Sequence, residues 1–288
     1  MFQGAYTALV TPFAKDGGID EDALRKLVTF QIEEGIAGIV PMGTTGESPT
    51  VTHDENIEVI RIVVEEAKGR IPIIAGTGSN STSEAVDMTR RAKEIGADAT
   101  LQVSPYYNKP NQEGLYRHFT HVADEGGLPV IVYNIPGRTG KNIEVETMVR
   151  LANHPGIVAV KEAAGSLPQF MDTIAGVPDS FDVLSGDDNF ALPVTMVGAR
   201  GVISVASNLI PGRMQQMIEA ALAGRRDEAV KEHYRLLPFF KALFFDTNPI
   251  PIKYAMAKAG HLIESYRLPL TPLSEELKKR VDAILADL

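Results

Sequence analysis

No cysteine occurs among the 288 residues. Disulfides and thiolate chemistry are therefore excluded, and a reducing compartment carries no cost. Nor is there any block of basic residues. Lysine and arginine number 28 against 37 aspartates and glutamates, a formal charge of −9. The chain lacks the cationic face that nucleic acid or an anionic membrane requires of a partner. No uninterrupted apolar run is long enough to span a bilayer. The opening stretch, Met1 to Val10, lacks the basic start and long apolar middle of a signal peptide. A cytoplasmic protein is the expectation. There is no low-complexity segment and no flexible linker, and the 44% apolar content can fill a substantial core.

What the chain does have is alternation. Short β-rich runs stand at Ala5 to Val10, Ala37 to Val40, Ile71 to Ala75, Ala99 to Val103, Pro129 to Tyr133, Ile157 to Val160, Phe181 to Leu184 and Gly201 to Val205. Between them lie segments with apolar spacing near 3.6, such as Asp20 to Glu34, Asp54 to Lys68 and Thr82 to Ile95. Asp20, Thr52 and Ser81 are placed as N-caps, and Gly35, Gly69 and Gly96 as helix ends. Strands separated by crossover helices suit a parallel sheet, and these runs are apolar on both faces, as doubly covered strands are. Eight such units predict an α/β protein, a closed (β/α)8 TIM barrel, over residues 1–224. An open doubly wound sheet with a dinucleotide loop fits less well, because Thr11-Pro12-Phe13 follows the first strand. Residues 225–288 read as a helical appendage, with helices at Arg225 to Phe245, Pro251 to Ala259 and Ser274 to Leu288. The appendage is too small for a robust core of its own and is expected to pack on the barrel or on another subunit.

In such a barrel the chemistry gathers where strands end and βα loops begin. Lys161 closes the apolar run Ile157-Val158-Ala159-Val160. An amine drawn toward a core loses hydration and with it some of its charge, which makes it a nucleophile toward carbonyl carbon. Taken alone, it also fits a lysine that snorkels out at a strand end. Gly43-Thr44-Thr45-Gly46-Glu47 can offer N–H groups and hydroxyls to a small anion, or it is a tight turn. Tyr133 ends a buried strand, either as a core tyrosine or as a functional phenol. Arg138, between Gly137 and Gly140, can aim a planar fork at a carboxylate, or make a surface ion pair. Tyr106 and Tyr107 also fit a subunit contact.

Metal chemistry has little support. His118 and His121 sit three apart on an expected helix without a His-Glu-x-x-His pattern, and read as a solvated face. Asp187 and Asp188 are adjacent carboxylates, and neighbours in sequence face apart. His53 begins a helix, as a functional group or as part of a cap.

Taken together, Gly43-Thr44-Thr45-Gly46-Glu47, Pro105-Tyr106-Tyr107-Asn108, Tyr133-Asn134-Ile135-Pro136-Gly137-Arg138-Thr139-Gly140 and Val160-Lys161-Glu162-Ala163 resemble the dihydrodipicolinate synthase family of pyruvate-dependent class I aldolases. The resemblance extends through Asn248-Pro249-Ile250-Pro251-Ile252-Lys253 and Arg267-Leu268-Pro269-Leu270-Thr271-Pro272. It implies a lyase of diaminopimelate and lysine biosynthesis that needs no cofactor or metal and joins pyruvate to L-aspartate 4-semialdehyde. By the same resemblance, Lys161 forms a Schiff base with pyruvate and Tyr133 is the general acid/base. Thr44 relays protons between Tyr133 and a Tyr107 that reaches into a neighbouring subunit. Thr45 holds the pyruvate carboxylate largely through its N–H, Arg138 holds the second carboxylate, and Gly186 and Ile203 line the pocket through their backbones. A homotetramer, a dimer of dimers, is implied. In relatives inhibited by lysine, residues matching Ser48, His53, Asn80, Glu84 and Tyr106 form the inhibitor pocket. All five types are present, but Asn56 stands where those enzymes often carry histidine. The alternatives are a pyruvate aldolase acting on a sugar acid, which generally lacks an arginine matching Arg138, and a non-catalytic barrel that senses an oxo acid. The retained Lys161, Tyr133, Tyr107 and Thr44 speak against the sensor, because binding needs no nucleophile.

Overall fold

The computed structural model describes residues 2–288; Met1, the first residue of the expected barrel segment, lies outside them. Strands and helices alternate as β1 (Gly4–Ala8), α1 (Glu21–Glu33), β2 (Gly38–Val40), α2 (His53–Ala67), β3 (Ile74–Gly76), α3 (Thr82–Ile95), β4 (Ala99–Val103) and α4 (Gln112–Gly126). They continue with β5 (Val130–Asn134), the single turn α5 (Pro136–Thr139), α6 (Val145–Ala152), β6 (Ile157–Glu162), α7 (Leu167–Gly176), β7 (Asp182–Ser185), α8 (Asp188–Met196), β8 (Gly201–Ser204) and α9 (Pro211–Leu222). The chain then stays helical in α10 (Arg226–Ala242), α11 (Ile250–Lys258) and α12 (Glu275–Leu285).

All strand pairs are parallel, in the order β2-β1-β8-β7-β6-β5-β4-β3. A bridge from Ile39 to Ile73 brings the two ends together, and the Gly76 N–H donates to the Pro41 carbonyl at 3.0 Å. The result is the expected TIM barrel. Gly76 is required at that seam, since an added Cβ would lie 2.2 Å from the Met42 carbonyl oxygen.

Side chains sort into an inner and an outer layer. Tyr6, Val40, Ile74, Leu101, Ile131, Tyr133, Leu184 and Ile203 fill the barrel, while Val130, Val132 and Val160 pack outward against Leu115, Phe119 and Phe170. Each fully buried aliphatic or phenyl side chain contributes roughly 1.5–3 kcal/mol of transfer free energy.

The register between β5 and β6 slips once. Val130 pairs with Ile157, but Ile131 pairs with Ala159. The extra residue resets the inside–outside alternation of β6. Ala159 therefore joins Ile131 inside the barrel, Val160 faces out, and Lys161, opposite Tyr133, follows Ala159 inward. The strand extends past the apolar run that ends at Val160. It runs on through Lys161 and Glu162, which pair with Leu184 and Ser185 of β7.

Local signals explain some helix ends. The Asp20 side chain accepts from the Ala23 N–H, and Thr52 with Glu55 forms a reciprocal capping box on α2. Ser81 precedes α3, but its hydroxyl meets the Ser83 hydroxyl at 3.1 Å and caps nothing. Lys68, rather than Gly69, is the left-handed cap residue of α2. Helices α10 and α11 share the barrel's outer core, where Leu236, Phe239, Phe240, Ile252 and Met256 pack with Leu9, Leu24, Ile39 and Ile60, and Ile284 and Leu285 of α12 pack against it.

Candidate active site

Lys161 is buried, at 5% exposure. Its Nζ lies 4.1 Å from the centroid of the Tyr133 ring on the adjacent strand. Burial lowers its pKa to about 7; the nearby Asp188 carboxylate opposes that shift and the Arg138 guanidinium reinforces it. The same burial pushes the Tyr133 phenol up to about 12, against the pull of Arg138 and the Thr44 hydroxyl. An amine that is readily neutral thus faces a phenol that stays protonated.

The loop after β2 supplies Thr44 and Thr45. Thr45 is buried, and its hydroxyl accepts from Asn248 Nδ2 at 3.0 Å. Arg138 lies in α5, the single turn after β5, and its Nη2 donates to the Asn248 carbonyl at 3.1 Å. Gly186, after β7, lies against the lysine stem; an added Cβ there would lie 2.8 Å from Ala163 Cβ and 3.1 Å from Lys161 Cε. Ile203 of β8 is fully buried in the inner layer. A cavity of about 460 Å³ opens over these elements, lined by Thr44, Tyr133 and Arg138 among others. Lys161 is not part of that lining; its amine lies beside Tyr133, which is.

The arrangement is a buried amine beside a phenol, with an arginine near the same barrel mouth. Over residues 1–288 the sequence matches the Dihydrodipicolinate synthetase family. The chain belongs to this family. A relative from Maridesulfovibrio salexigens, a 4-hydroxy-tetrahydrodipicolinate synthase, is 53% identical over 99% of this chain and 97% of its own. The crystal structure of the Acinetobacter baumannii dihydrodipicolinate synthase complexed with pyruvate is 44% identical, with a TM-score of 0.98, and covers 100% of this chain and 99% of that one. That of the Cyanidioschyzon merolae enzyme with lysine bound is 42% identical, with a TM-score of 0.97, over 99% and 98% of the two chains. The chain is an enzyme of the lyase type.

Other residues read from the family resemblance fall in two places. Ser48, His53, Glu84 and Tyr106 line the same cavity as Thr44 and Tyr133, so one continuous space runs from the barrel mouth to them. Asn80 stands behind this wall: its Nδ2 donates to the Tyr106 carbonyl at 3.1 Å and its carbonyl accepts from Asn108 Nδ2 at 2.8 Å. Asn56 lines the space too, with its Nδ2 turned to the Gly76 carbonyl at 3.4 Å. Tyr107 points away from its own chain, 91% exposed, with a left-handed φ of 68°.

The reading of His118 and His121 as a solvated face is corrected for His118, which is buried against Phe119 and bonded through Nδ1 to the Thr82 hydroxyl at 2.9 Å. The packing of α4 on α3 explains this, and burial lowers its pKa to about 4. His121 is exposed. Among the described residues no three His, Asp or Glu side chains gather so as to hold a metal ion, and no helix is long and apolar enough to cross a membrane. Asp187 and Asp188 do face apart: Asp187 caps α8 through the Asn189 N–H at 2.8 Å. Asp188 turns inward to accept from Val205 and Ala206 N–H at 3.1 and 3.0 Å. Burial raises the Asp188 pKa to about 6. Its influence on Lys161 is a feature that sequence reading missed.

Proposed function

We propose that Lys161 is the Schiff-base nucleophile of a 4-hydroxy-tetrahydrodipicolinate synthase reaction, the condensation of pyruvate with L-aspartate 4-semialdehyde. The observation that carries this reading is the Lys161 amine, buried beside the Tyr133 phenol and lowered in pKa to about 7. The neutral amine attacks the keto carbon of pyruvate. Tyr133 donates a proton as the carbinol oxygen leaves as water, and a protonated imine forms. That imine withdraws electrons, so a methyl proton of the bound pyruvate is lost and an enamine results. The enamine attacks the aldehyde carbon, and the amine of the second substrate then displaces Lys161 as the ring closes.

The remaining roles are those the family resemblance implies. The Thr45 N–H holds the pyruvate carboxylate and Arg138 holds the carboxylate of the semialdehyde. Gly186 and Ile203 shape the pocket with their backbones. Thr44 passes protons between Tyr133 and a Tyr107 from a neighbouring subunit, which makes the working unit an oligomer, a dimer of dimers in the family's manner. The cytoplasm is its place of action. Ser48, His53, Asn80, Glu84 and Tyr106 form a site for lysine. A relative complexed with pyruvate supports pyruvate as a substrate, and a relative with lysine bound supports lysine as a ligand.

The test has two parts. Borohydride with pyruvate should reduce the imine and label Lys161, as read by peptide mass spectrometry. A coupled assay should then show turnover with aspartate semialdehyde and little with polyol aldehydes. Turnover with the polyol aldehyde alone would make the chain a sugar-acid aldolase.

A further inference from the structure

Glu47 is a non-glycine residue in left-handed backbone, at φ 57° and ψ 34°. Met42, just before the loop, has a φ of 58°. Such conformations are strained for residues with a Cβ and persist only where the surroundings hold them. Between these two residues lie Thr44 and Thr45. The Gly46 N–H donates to the Gly43 carbonyl and the Glu47 N–H to the Thr44 carbonyl, each at 3.1 Å.

The Glu47 carboxylate is held from the far end of the chain. Its Oε1 lies 2.5 Å from Lys253 Nζ, and both side chains are inaccessible to solvent. Its Oε2 accepts from the Arg267 backbone N–H at 3.3 Å. The Lys253 ammonium also lies 4.4 Å from the Phe13 ring centroid and 5.3 Å from that of Tyr266. A buried ion pair adds little net stability, because desolvation offsets most of its attraction. What it does impose is position. Lys253 is on α11, and Asn248, just before that helix, bonds the Thr45 hydroxyl. One segment therefore grips the loop twice, at Thr45 and at Glu47.

We propose that Lys253 is a positioning residue for the pyruvate end of the site, acting through Glu47 to hold residues 43–47 so that the Thr45 N–H meets the keto-acid carboxylate. This rests on the roles given above to Lys161 and Thr45. Lys253 itself touches no reacting atom.

The experiment compares wild type, Lys253→Met and the double variant Glu47→Gln/Lys253→Met. Three quantities are measured: melting temperature, the pyruvate concentration giving half-maximal borohydride trapping, and the trapping rate at saturating pyruvate. Lys253→Met leaves a buried carboxylate unpaired and should melt lower, whereas the double variant removes both charges at similar shape and should recover. A misplaced loop should still raise the double variant's half-maximal concentration by about tenfold or more, with its saturated rate within about threefold of wild type. A double variant that regains both melting temperature and half-maximal concentration makes the pair purely structural and overturns the inference. Should the double variant not fold, Glu47→Asp keeps both charges but shortens the tether; an unchanged half-maximal concentration there overturns it equally. Wild-type protein that is not labelled at Lys161 overturns the Schiff-base reading and this inference with it, so the two failures are told apart.

Discussion

The Nζ of Lys161 and the ring of Tyr133 are 4.1 Å apart on neighbouring strands, paired residue to residue. Burial drives their proton affinities in opposite directions, the amine down to about 7 and the phenol up to about 12. Desolvation disfavours charge on either group, so near neutral pH a substantial fraction of the pair is a free amine beside a protonated phenol. Those are the forms that carbonyl addition followed by loss of water requires.

The lowered amine pKa sets a pH dependence. The rate of pyruvate trapping should rise with pH through about 7 and level off above it, as the neutral fraction of Lys161 saturates. A matching effect on stability follows. Between about 7 and the ordinary 10.5, the unfolded chain binds more protons at this residue than the folded one. Its contribution to stability therefore rises with pH across that window, and its full cost is present below about 7. Lys161→Met should abolish trapping and raise stability at neutral pH by on the order of a few kcal/mol. The gain should shrink as pH approaches 10.5. Melting curves of both proteins across this range check it, and a gain independent of pH would detach it from the amine.

Much of the fold is legible in the residue pattern because its signals are local. Ala99–Val103 is a strand with the bounds its apolar run predicts, and Thr52 caps α2 with Glu55 three residues on. The inward turn of Lys161 is not legible, since it depends on a register slip against a different strand. Tertiary partners are hidden for the same reason. Lys253 and Glu47 are 206 residues apart, and Asp188 reaches the backbone of Val205 and Ala206 across another loop. His118 reads as exposed because its burial comes from the packing of α3 and α4 and a bond to Thr82. In each case the side chain is visible in the sequence and its environment is not.

Arg138 should select the second substrate. It lies in a short turn at the cavity and donates to the Asn248 carbonyl at 3.1 Å. Arg138→Ala should lower the use of aspartate semialdehyde about ten- to a hundredfold, since a hydrogen bond to a charged group is worth roughly 1.5–3 kcal/mol. Pyruvate trapping at saturation should change little, but its pH profile should move upward, because Arg138 helps to lower the Lys161 pKa. Steady-state kinetics in each substrate, with the trapping profile, check both effects. An equal loss of pyruvate trapping would place Arg138 at the other substrate.

Lysine should bind in the part of the cavity lined by Ser48, His53, Glu84 and Tyr106. Glu84 is exposed there and already accepts from the Ser79 hydroxyl at 2.7 Å, so its carboxylate is oriented before any ligand arrives. Calorimetry with L-lysine should give measurable heat, and Glu84→Gln should weaken binding about tenfold or more by removing the partner of an ammonium group. No heat at millimolar lysine would remove the site. Binding without inhibition is compatible with Asn56, whose amide is turned to the Gly76 carbonyl.

Tyr107 should act in the site of a neighbouring subunit. The side chain is 91% exposed on its own chain, although the loop beneath it is fixed: Asn80 holds the Tyr106 carbonyl, and Asn108 in turn holds the Asn80 carbonyl. A large aromatic projected outward from a braced loop at the cavity mouth suits burial against another subunit. Tyr106 lines the chain's own cavity and Tyr107 does not. Mixing inactive Tyr107→Phe subunits with inactive Lys161→Ala subunits under exchanging conditions separates the two cases. If Tyr107 works across the interface, some hybrid sites combine an intact lysine from one chain with an intact tyrosine from the other, and activity returns. If it works within its own chain, each Tyr107→Phe subunit keeps its defect beside its own lysine, and each Lys161→Ala subunit lacks the nucleophile beside its own tyrosine. Hybrids verified by native mass spectrometry but without recovered turnover would therefore place Tyr107 in its own subunit.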